Sequence, residues 1–410
     1  LDVAGMTPAR RASRTSPDRN GVLTVNAGSS SLKVAAFRDG LLDRLGSVEV
    51  SDLGHAAVMT SSIAGQDHTV PLRGASDHEA ALAAVFRYLA DELGPIEWLA
   101  VGHRVTHGRA LAEPRIVDRA LRTALEALVP LAPLHQPHNL AGIAAAAQLA
   151  PNALQVACFD TSFHRTMPDV ARRYALPRAL SADGIEAYGF HGLSYEYIAS
   201  ILPAHLGDRA EGRVIVAHLG SGASMCAMQN RRSVATTMGF TPLDGLPMAT
   251  RSGAIDPGAV LYLLDQRGLT VDQVRDLLYR QSGLLGVSGV SDSMKQLLAS
   301  DDPRATDAVE LFVYRAAAAI GALATALGGL DALVFTGGIG EHSGAIRTAI
   351  SRNIAWLGAA IDERAHAAGQ VVFSTPASSI WLCALATDEE VMLARHAAAI
   401  WSRRNHGDRI

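Results

Sequence analysis

One layout occurs twice in this chain, and it constrains the fold more than any other feature. "TVNAGSSSLKVAAF" (24–37) and "VAHLGSGASMCAM" (216–228) each read as strand, Gly/Ser turn, strand. Setting Gly28 against Gly220 also sets Asn26 against His218 and Ser29 against Ser221, at a separation close to half the chain. A two-residue hairpin turn needs little beyond Asn-Gly or its equivalent. The stretch from Asn26 to Lys33 carries far more hydrogen-bonding capacity than closure requires. Duplication of a domain that presents such a hairpin is one reading; chance agreement between short Gly/Ser strings is the other.

A length of 410 residues exceeds one ordinary core, which favours two domains. Runs such as Val22–Val25, Leu99–Val101, Val156–Phe159, Val214–His218 and Leu333–Thr336 read as strands. They alternate with Ala-rich amphipathic stretches at Asp77–Leu93, Asn139–Leu149, Thr306–Leu327 and Glu389–Arg403. The alternation predicts an α/β protein with helices packed on mixed sheets. Thr387, with Glu390 three residues on, reads as the N-cap of the last helix. The apolar run 316–330 is Ala- and Gly-rich and short for a membrane span, so it reads as a core helix. Residues 1–20 are polar and rich in Arg, Ser and Pro, and read as a disordered extension without a secretory apolar run.

With a net charge of −4, the chain offers no basic field for nucleic acid or an anionic membrane, so an anionic substrate must be held by a few local cations. Cys158, Cys226 and Cys383 lie far apart and form no CxxC pair, which fits a reducing cytoplasm rather than a disulfide framework. The chain lacks H-E-x-x-H, and His103 and His107 sit in a strand-like context, so a zinc site has little support. The Walker pattern and G-x-S-x-G are both missing.

Backbone N–H groups of Gly/Ser turns converge on anionic oxygens, and serine hydroxyls add donors. Lys33 supplies a charge at the exit of the first hairpin. A third cluster, "LVFTGGIGEHSGAIR" (333–347), runs from a strand through Gly337, Gly338, Ile339 and Gly340 into a helix, which suits an anion or nucleotide. Arg104 in "GHRVTHG" and Arg251 in "MATRSGAIDP" lie in apolar, Gly-flanked settings. Each calls for a carboxylate or phosphate, either as ligand or in a structural salt bridge. Asp160 follows the strand Val156–Phe159 at its carboxyl end, where ligands of open α/β sheets bind; a turn or helix-cap role is the other reading.

"NAGSSSLK", "HRVTHG", "PLAPLH", "FDTSFHRTMP", "YGFHGLS", "HLGSGAS", "MGFTPLDGLPMATRSGAIDP", "GVSGVS", "FTGGIGEHS" and "TDEE" occur in this order between about residues 22 and 395. Together they closely resemble the acetate kinase family. The resemblance implies two duplicated actin-like ATPase (ribonuclease H-like) α/β domains, with the active site in the cleft between them. The expected division is 21–164 with 390–410, and 165–389. It also implies a homodimer, and phosphoryl transfer from ATP to a short carboxylate with Mg²⁺ (or Mn²⁺).

Carried over residue by residue, the resemblance gives Arg104 and Arg251 the carboxylate and the transferring phosphoryl group. It gives His191 a transition-state hydrogen bond, and gives Asp160 and Glu389 the organisation of the metal, with Asn26 beside them. Asn26, Ser29, Ser31 and Lys33 form the first phosphate hairpin; His218, Leu219, Gly220, Ser221 and Gly222 form the second. Ser293, Met294 and Lys295, with Gly337, Gly338, Ile339 and Gly340, flank the nucleotide. Thr106, Leu134, Phe190 and Pro242 wall the acyl pocket.

The chain departs from the family pattern at several places. Ser221 stands for Asn, Ser293 and Lys295 for Asp and Arg, His342 for Asn, Ala254 for Asp, Tyr195 for His and Thr106 for Val. Acetate kinase activity is the leading expectation. A preference for propionate, a different donor such as pyrophosphate, and a silent nucleotide or acyl-phosphate sensor are the alternatives.

Overall fold

The computed structural model describes residues 20–28, 31–39, 42–54 and 56–406. The expected extension, apart from Asn20, and Ser29 lie outside these. The strands are β1 (Asn20–Ala27), β2 (Leu32–Arg38), β3 (Arg44–Ser51), β4 (Val58–Ile63), β5 (Gln66–Pro71), β6 (Glu97–Val105), β7 (Arg115–Ile116) and β8 (Leu154–Phe159), then β9 (Arg213–Leu219), β10 (Ala223–Gln229), β11 (Arg232–Thr236), β12 (Ala332–Thr336) and β13 (Trp381–Ala384). Each predicted strand and helix is present, with ends shifted by a few residues. Asn20 pairs with Glu97, so β1 takes in the last residue of the expected extension.

The strands form two sheets, ordered β5-β4-β3-β2-β1-β6-β8-β7 and β11-β10-β9-β12-β13. The run β3-β2-β1-β6-β8 repeats the order of the whole second sheet. In both, an antiparallel meander is followed by two parallel strands. The similarity of the two hairpins therefore extends to entire sheets. Asn26 and His218 occupy the same place, one residue before the end of the first strand of each hairpin.

Apolar alternation explains the layers. β1 and β6 are buried on both faces, as parallel central strands must be. Helices His78–Leu93 and Gln136–Leu149 share one core with the first sheet. Helix Glu389–His406 covers the opposite face through Leu393, Ala394 and Ala397. Gly102 makes that approach close: a Cβ there would lie 2.6 Å from the Leu393 carbonyl oxygen. Helix Pro303–Leu327 is long and apolar enough to cross a membrane by length and composition. Its Ala305, Ala308, Phe312, Ala316, Ile320 and Leu323 are buried in the second sheet's core, as a core helix requires.

One local expectation needs correction. The N-cap of the last helix is Asp388, whose carboxylate accepts the Val391 N–H at 3.0 Å. Thr387 spends its hydroxyl on Ser194 at 2.9 Å and its N–H on Glu341 at 3.1 Å.

Candidate active site

Three parallel strand ends deliver the first half of the site. Asn26 lies near the end of β1, Arg104 near the end of β6, and Asp160 directly after β8. The Asp160 N–H donates to the Val105 carbonyl at 3.0 Å, which draws the carboxylate beside the arginine. Arg104 Nη2 donates to Asp160 Oδ2 at 2.6 Å and Nε to Oδ1 at 3.1 Å; Nη1 reaches Asn26 Oδ1 at 3.3 Å. Glu389, heading the last helix, places Oε2 3.7 Å from Arg104 Nε. Burial works against the guanidinium's charge, but Asp160 and Glu389 overcome it and hold its pKa above the usual value. Burial pushes Glu389 up to about 7; Arg104 pulls it back, and Asp160 and Glu390 add repulsion. Lys33 is half-exposed and pairs with Glu49 across the sheet at 3.6 Å.

The second half comes from the other sheet and its loops. His191 holds a left-handed backbone, φ 59°, immediately before helix Gly192–Leu206. Its ring stacks on His218 with centroids 4.4 Å apart, and its Nδ1 lies 2.9 Å from Ser224 Oγ. His218 in turn meets Ser194 Oγ at 2.8 Å. Arg251 Nη1 donates to the Pro242 carbonyl at 2.6 Å. Among the described residues no carboxylate pairs with Arg251. Of the two roles read for the arginines, Arg104 makes a salt bridge, whereas Arg251 is a guanidinium without an anion. Burial, then Arg104, lower its pKa to about 10.

Gly222 shows where these groups meet. A Cβ there would lie 2.8 Å from Arg251 Nη2 and 3.0 Å from His191 Nε2. Burial lowers His191 well below the usual imidazole value, and His218, Arg104, Arg251 and His135 add to the effect; burial takes His218 to about 4. Both rings are thus neutral at pH 7 and act through N–H groups and lone pairs.

The two halves enclose a cleft of about 620 Å³. Gly28, Ser31 and Lys33 face it from the first hairpin, and Gly220, Ser221 and Gly222 from the second, with Gly337 and Gly338 beside them. Thr106, Phe190 and Pro242 form an apolar-leaning wall. Thr106 is fixed because its N–H donates to Asn139 Oδ1 at 2.9 Å, while the Asn139 amide donates to the Ala27 carbonyl at 2.8 Å. The acyl wall and the first hairpin therefore share one anchor.

Several expected residues do not line the cleft. Leu134 is replaced at the wall by its neighbour His135. The Leu219 and Met294 side chains lie in the second core, so only their backbones could meet a nucleotide. Ile339 packs against the same core, Gly340 backs onto Phe335 and Ala217, and Ser293 and Lys295 stand away from the lining. Besides His135 and Gly28, three lining residues were not assigned to the site from sequence: Glu341, Thr387 and Glu390. Glu341 accepts the Gly337 N–H at 2.8 Å and the Thr387 N–H at 3.1 Å, tying the third glycine turn to the segment that carries Glu389. Their signal was adjacency to "GGIG" and "TDEE", which does not reveal direction. Among the described residues no three His, Cys, Asp or Glu side chains gather closely enough to enclose a metal by themselves.

The family model described as the acetokinase family matches residues 21–395. This chain belongs to the acetokinase family. Within curated relatives of the acetokinase chain, an acetate kinase from Rhodopseudomonas palustris is 50% identical over 397 residues, covering 94% of this chain and 99% of that protein. An acetate kinase from Nitrobacter hamburgensis is 47% identical over 387 residues, covering 92% and 96%. Among solved structures, a propionate kinase from Francisella tularensis matches with a TM-score of 0.87 at 33% identity, covering 93% of this chain and 99% of that one. Porphyromonas gingivalis acetate kinase matches with a TM-score of 0.82 at 34% identity, with coverage of 93% and 99%. The duplicated α/β architecture expected of an acetokinase is the one observed. Of this chain's departures from the family pattern, Thr106 and Ser221 line the cleft, whereas Ala254, Ser293, Lys295 and His342 do not.

Proposed function

We propose that this chain is an acetate kinase that transfers the γ-phosphoryl group of ATP reversibly to acetate. One observation carries the reading: Arg251, a guanidinium without a carboxylate partner, and His191 Nε2 both border the same point beside Gly222, in one cleft with the Arg104–Asp160 pair. A part-buried guanidinium left unpaired is costly unless an anion joins it, so the site is made for one. Phosphoryl transfer asks a protein mainly for alignment and charge neutralisation.

In this reading Arg251 binds the equatorial oxygens of the transferring group and His191 donates Nε2–H to them. Arg104, held rigid by Asp160, orients the carboxylate with the methyl group against Thr106, Phe190 and Pro242. The substrate carboxylate is ionised at pH 7, so it attacks phosphorus without a general base as the bond to ADP breaks. Ser31 and Lys33 from one hairpin, and Gly220 to Gly222 from the other, hold the phosphates. Gly337 and Gly338 border the nucleotide.

Mg²⁺ suits the donor set. Asp160, Glu389 and the Asn26 amide offer hard oxygens, and burial, with repulsion from Asp160 and Glu390, makes the Glu389 carboxylate costly to ionise without a further cation beside it. Two carboxylates with waters and substrate phosphates are the usual company of this ion. When bound it would neutralise phosphate charge. The domains divide at about 164/165 and 389/390, since helix Glu389–His406 packs on the first sheet. A homodimer is the assembly this family reading implies, and the three buried free thiols suit a reducing cytoplasm.

Propionate is the second reading, favoured by the likeness to the Francisella propionate kinase. One methylene discriminates by only about 1–3 kcal/mol. Hydroxamate trapping with acetate, propionate and butyrate, each with Mg²⁺ and either ATP or pyrophosphate, tests the proposal. Acyl phosphate forms fastest from acetate and ATP. Formation with pyrophosphate alone would replace the donor, and no acyl phosphate in any pairing would leave a sensor.

A further inference from the structure

Tyr195 lies in the first turn of helix Gly192–Leu206 and is fully buried. Its Oη stands 2.5 Å from Ser224 Oγ, and Ser224 Oγ stands 2.9 Å from His191 Nδ1. Ser224 is itself fully buried on β10. The three side chains form a line that ends at His191 Nδ1, the ring nitrogen other than the one beside Gly222.

The direction of the hydrogen bonds along that line is determined by proton counting. A phenol has one proton to give. Among the described residues Ser224 Oγ is the hydrogen-bond partner of the fully buried Tyr195 hydroxyl, so a phenol that did not donate to it would strand its proton away from water. Ser224 Oγ therefore receives the phenol proton. Ser224 then gives its own proton to His191 Nδ1, which must be bare. A neutral imidazole with a bare Nδ1 carries its hydrogen on Nε2, the nitrogen that borders the cleft beside Gly222.

We propose that Tyr195, acting through Ser224, is a positioning residue that locks His191 in the Nε2–H tautomer and so keeps a donor aimed at the transferring phosphoryl group. The inference rests on the reading of His191 as a transition-state donor. The opposite polarity would turn a lone pair toward anionic oxygens and repel them. Burial keeps Tyr195 protonated and His191 uncharged, so the choice between tautomers decides whether the ring attracts or repels. Tyr195 stands where the family pattern usually has His. An imidazole can give or take a proton at either nitrogen, whereas a buried phenol with this partner satisfies its O–H only by giving the proton to Ser224, so this chain has a one-way relay.

The test uses the full chain with ¹⁵N-labelled histidine, assigning the His191 ring by its loss in His191→Gln. The wild type shows Nδ1 unprotonated and Nε2 protonated; a protonated Nδ1 overturns the proposal whatever the activity. Tyr195→Phe keeps the ring and removes the donor. It gives a mixture of tautomers and lowers kcat by about 10- to 100-fold, with both KM values within about two-fold. Ser224→Ala breaks the line at its second member, lowers kcat similarly, and serves if Tyr195→Phe folds poorly. A kcat within about two-fold of wild type in a folded variant of either kind overturns the relay. Full turnover in His191→Ala would instead remove the donor role of His191, while leaving the tautomer measurement to stand by itself.

Discussion

Gly222→Ala separates the chemistry of the cleft from the stability of the fold. The new methyl carbon would sit 2.8 Å from Arg251 Nη2, 3.0 Å from His191 Nε2 and 3.4 Å from His191 Cε1. Ordinary contact begins near 3.4 Å, so the two donor nitrogens must retreat by about 0.6 and 0.4 Å. Arg251 can yield by swinging a side-chain end, and Gly222 is not among the residues with positive φ, so alanine brings no left-handed strain. The added methyl faces the cleft rather than the core. Stability should therefore change by no more than about 0.5 kcal/mol.

Catalysis has no such tolerance. A misplacement of about 1 Å costs about 100-fold, and removal of one transition-state donor about 10²- to 10³-fold. Displacing two donors by about half an ångström each should lower kcat by about 100-fold, equivalent to about 2.7 kcal/mol of barrier. KM for acetate should change little, because Arg104 and the acyl wall are untouched. Initial rates from hydroxamate trapping with ATP and acetate, read beside a thermal melt, measure both quantities. A variant with wild-type melting and kcat within about threefold of wild type would refute the convergence of Arg251 and His191 on one point.

Two further predictions concern the wall and the buried histidines. Thr106→Val keeps nearly the same volume and removes a hydroxyl, so the acetate-to-propionate ratio of kcat/KM should move by up to about tenfold, with activity retained; unchanged ratios across the three acids would remove Thr106 from the pocket wall. Burial lowers His103, His107, His164 and His218 to about 4 and His135 to about 3. Their folded values lie below the unfolded 6.5, so the unfolded chain binds more protons between pH 4 and 6.5, and the stability they contribute is whole above 6.5 and lost on acidification. Glu389, raised to about 7, runs the other way, favouring the fold at low pH and losing that contribution as pH rises from about 4.5 to 7. Five groups outweigh one, so the urea midpoint should fall steeply from pH 7 to pH 5; a midpoint flat or rising with acid would contradict the burial of these rings.

Much of the fold was legible because its signals are local. The Gly/Ser turns at Gly28 and Gly220 sit where hairpins form, and the strands around them are continuous apolar runs that only a doubly covered sheet can hide. Asp77 caps its helix through the Ala80 N–H at 2.9 Å, a contact spelled out within four residues. Thr387 failed as a cap because Ser194 and Glu341, distant in sequence, claim its groups. Met294 and Leu219 fall within blocks that carry the family likeness, yet apolar side chains beside a sheet turn into its core.

The chain's letters alone showed alternating strands and helices, two similar Gly/Ser hairpins with the residue types that gather at their mouths, and a family likeness that implies two duplicated domains. They could not distinguish Arg104, which has a carboxylate at 2.6 Å, from Arg251, which has none. That difference, the meeting of His191 with Arg251 beside Gly222, and the neutrality of the stacked imidazoles were decided by tertiary structure. Each depends on separations and burial between segments far apart along the backbone. Charge, proton affinity and donor direction respond to what lies within a few ångströms in space, and sequence order does not record it.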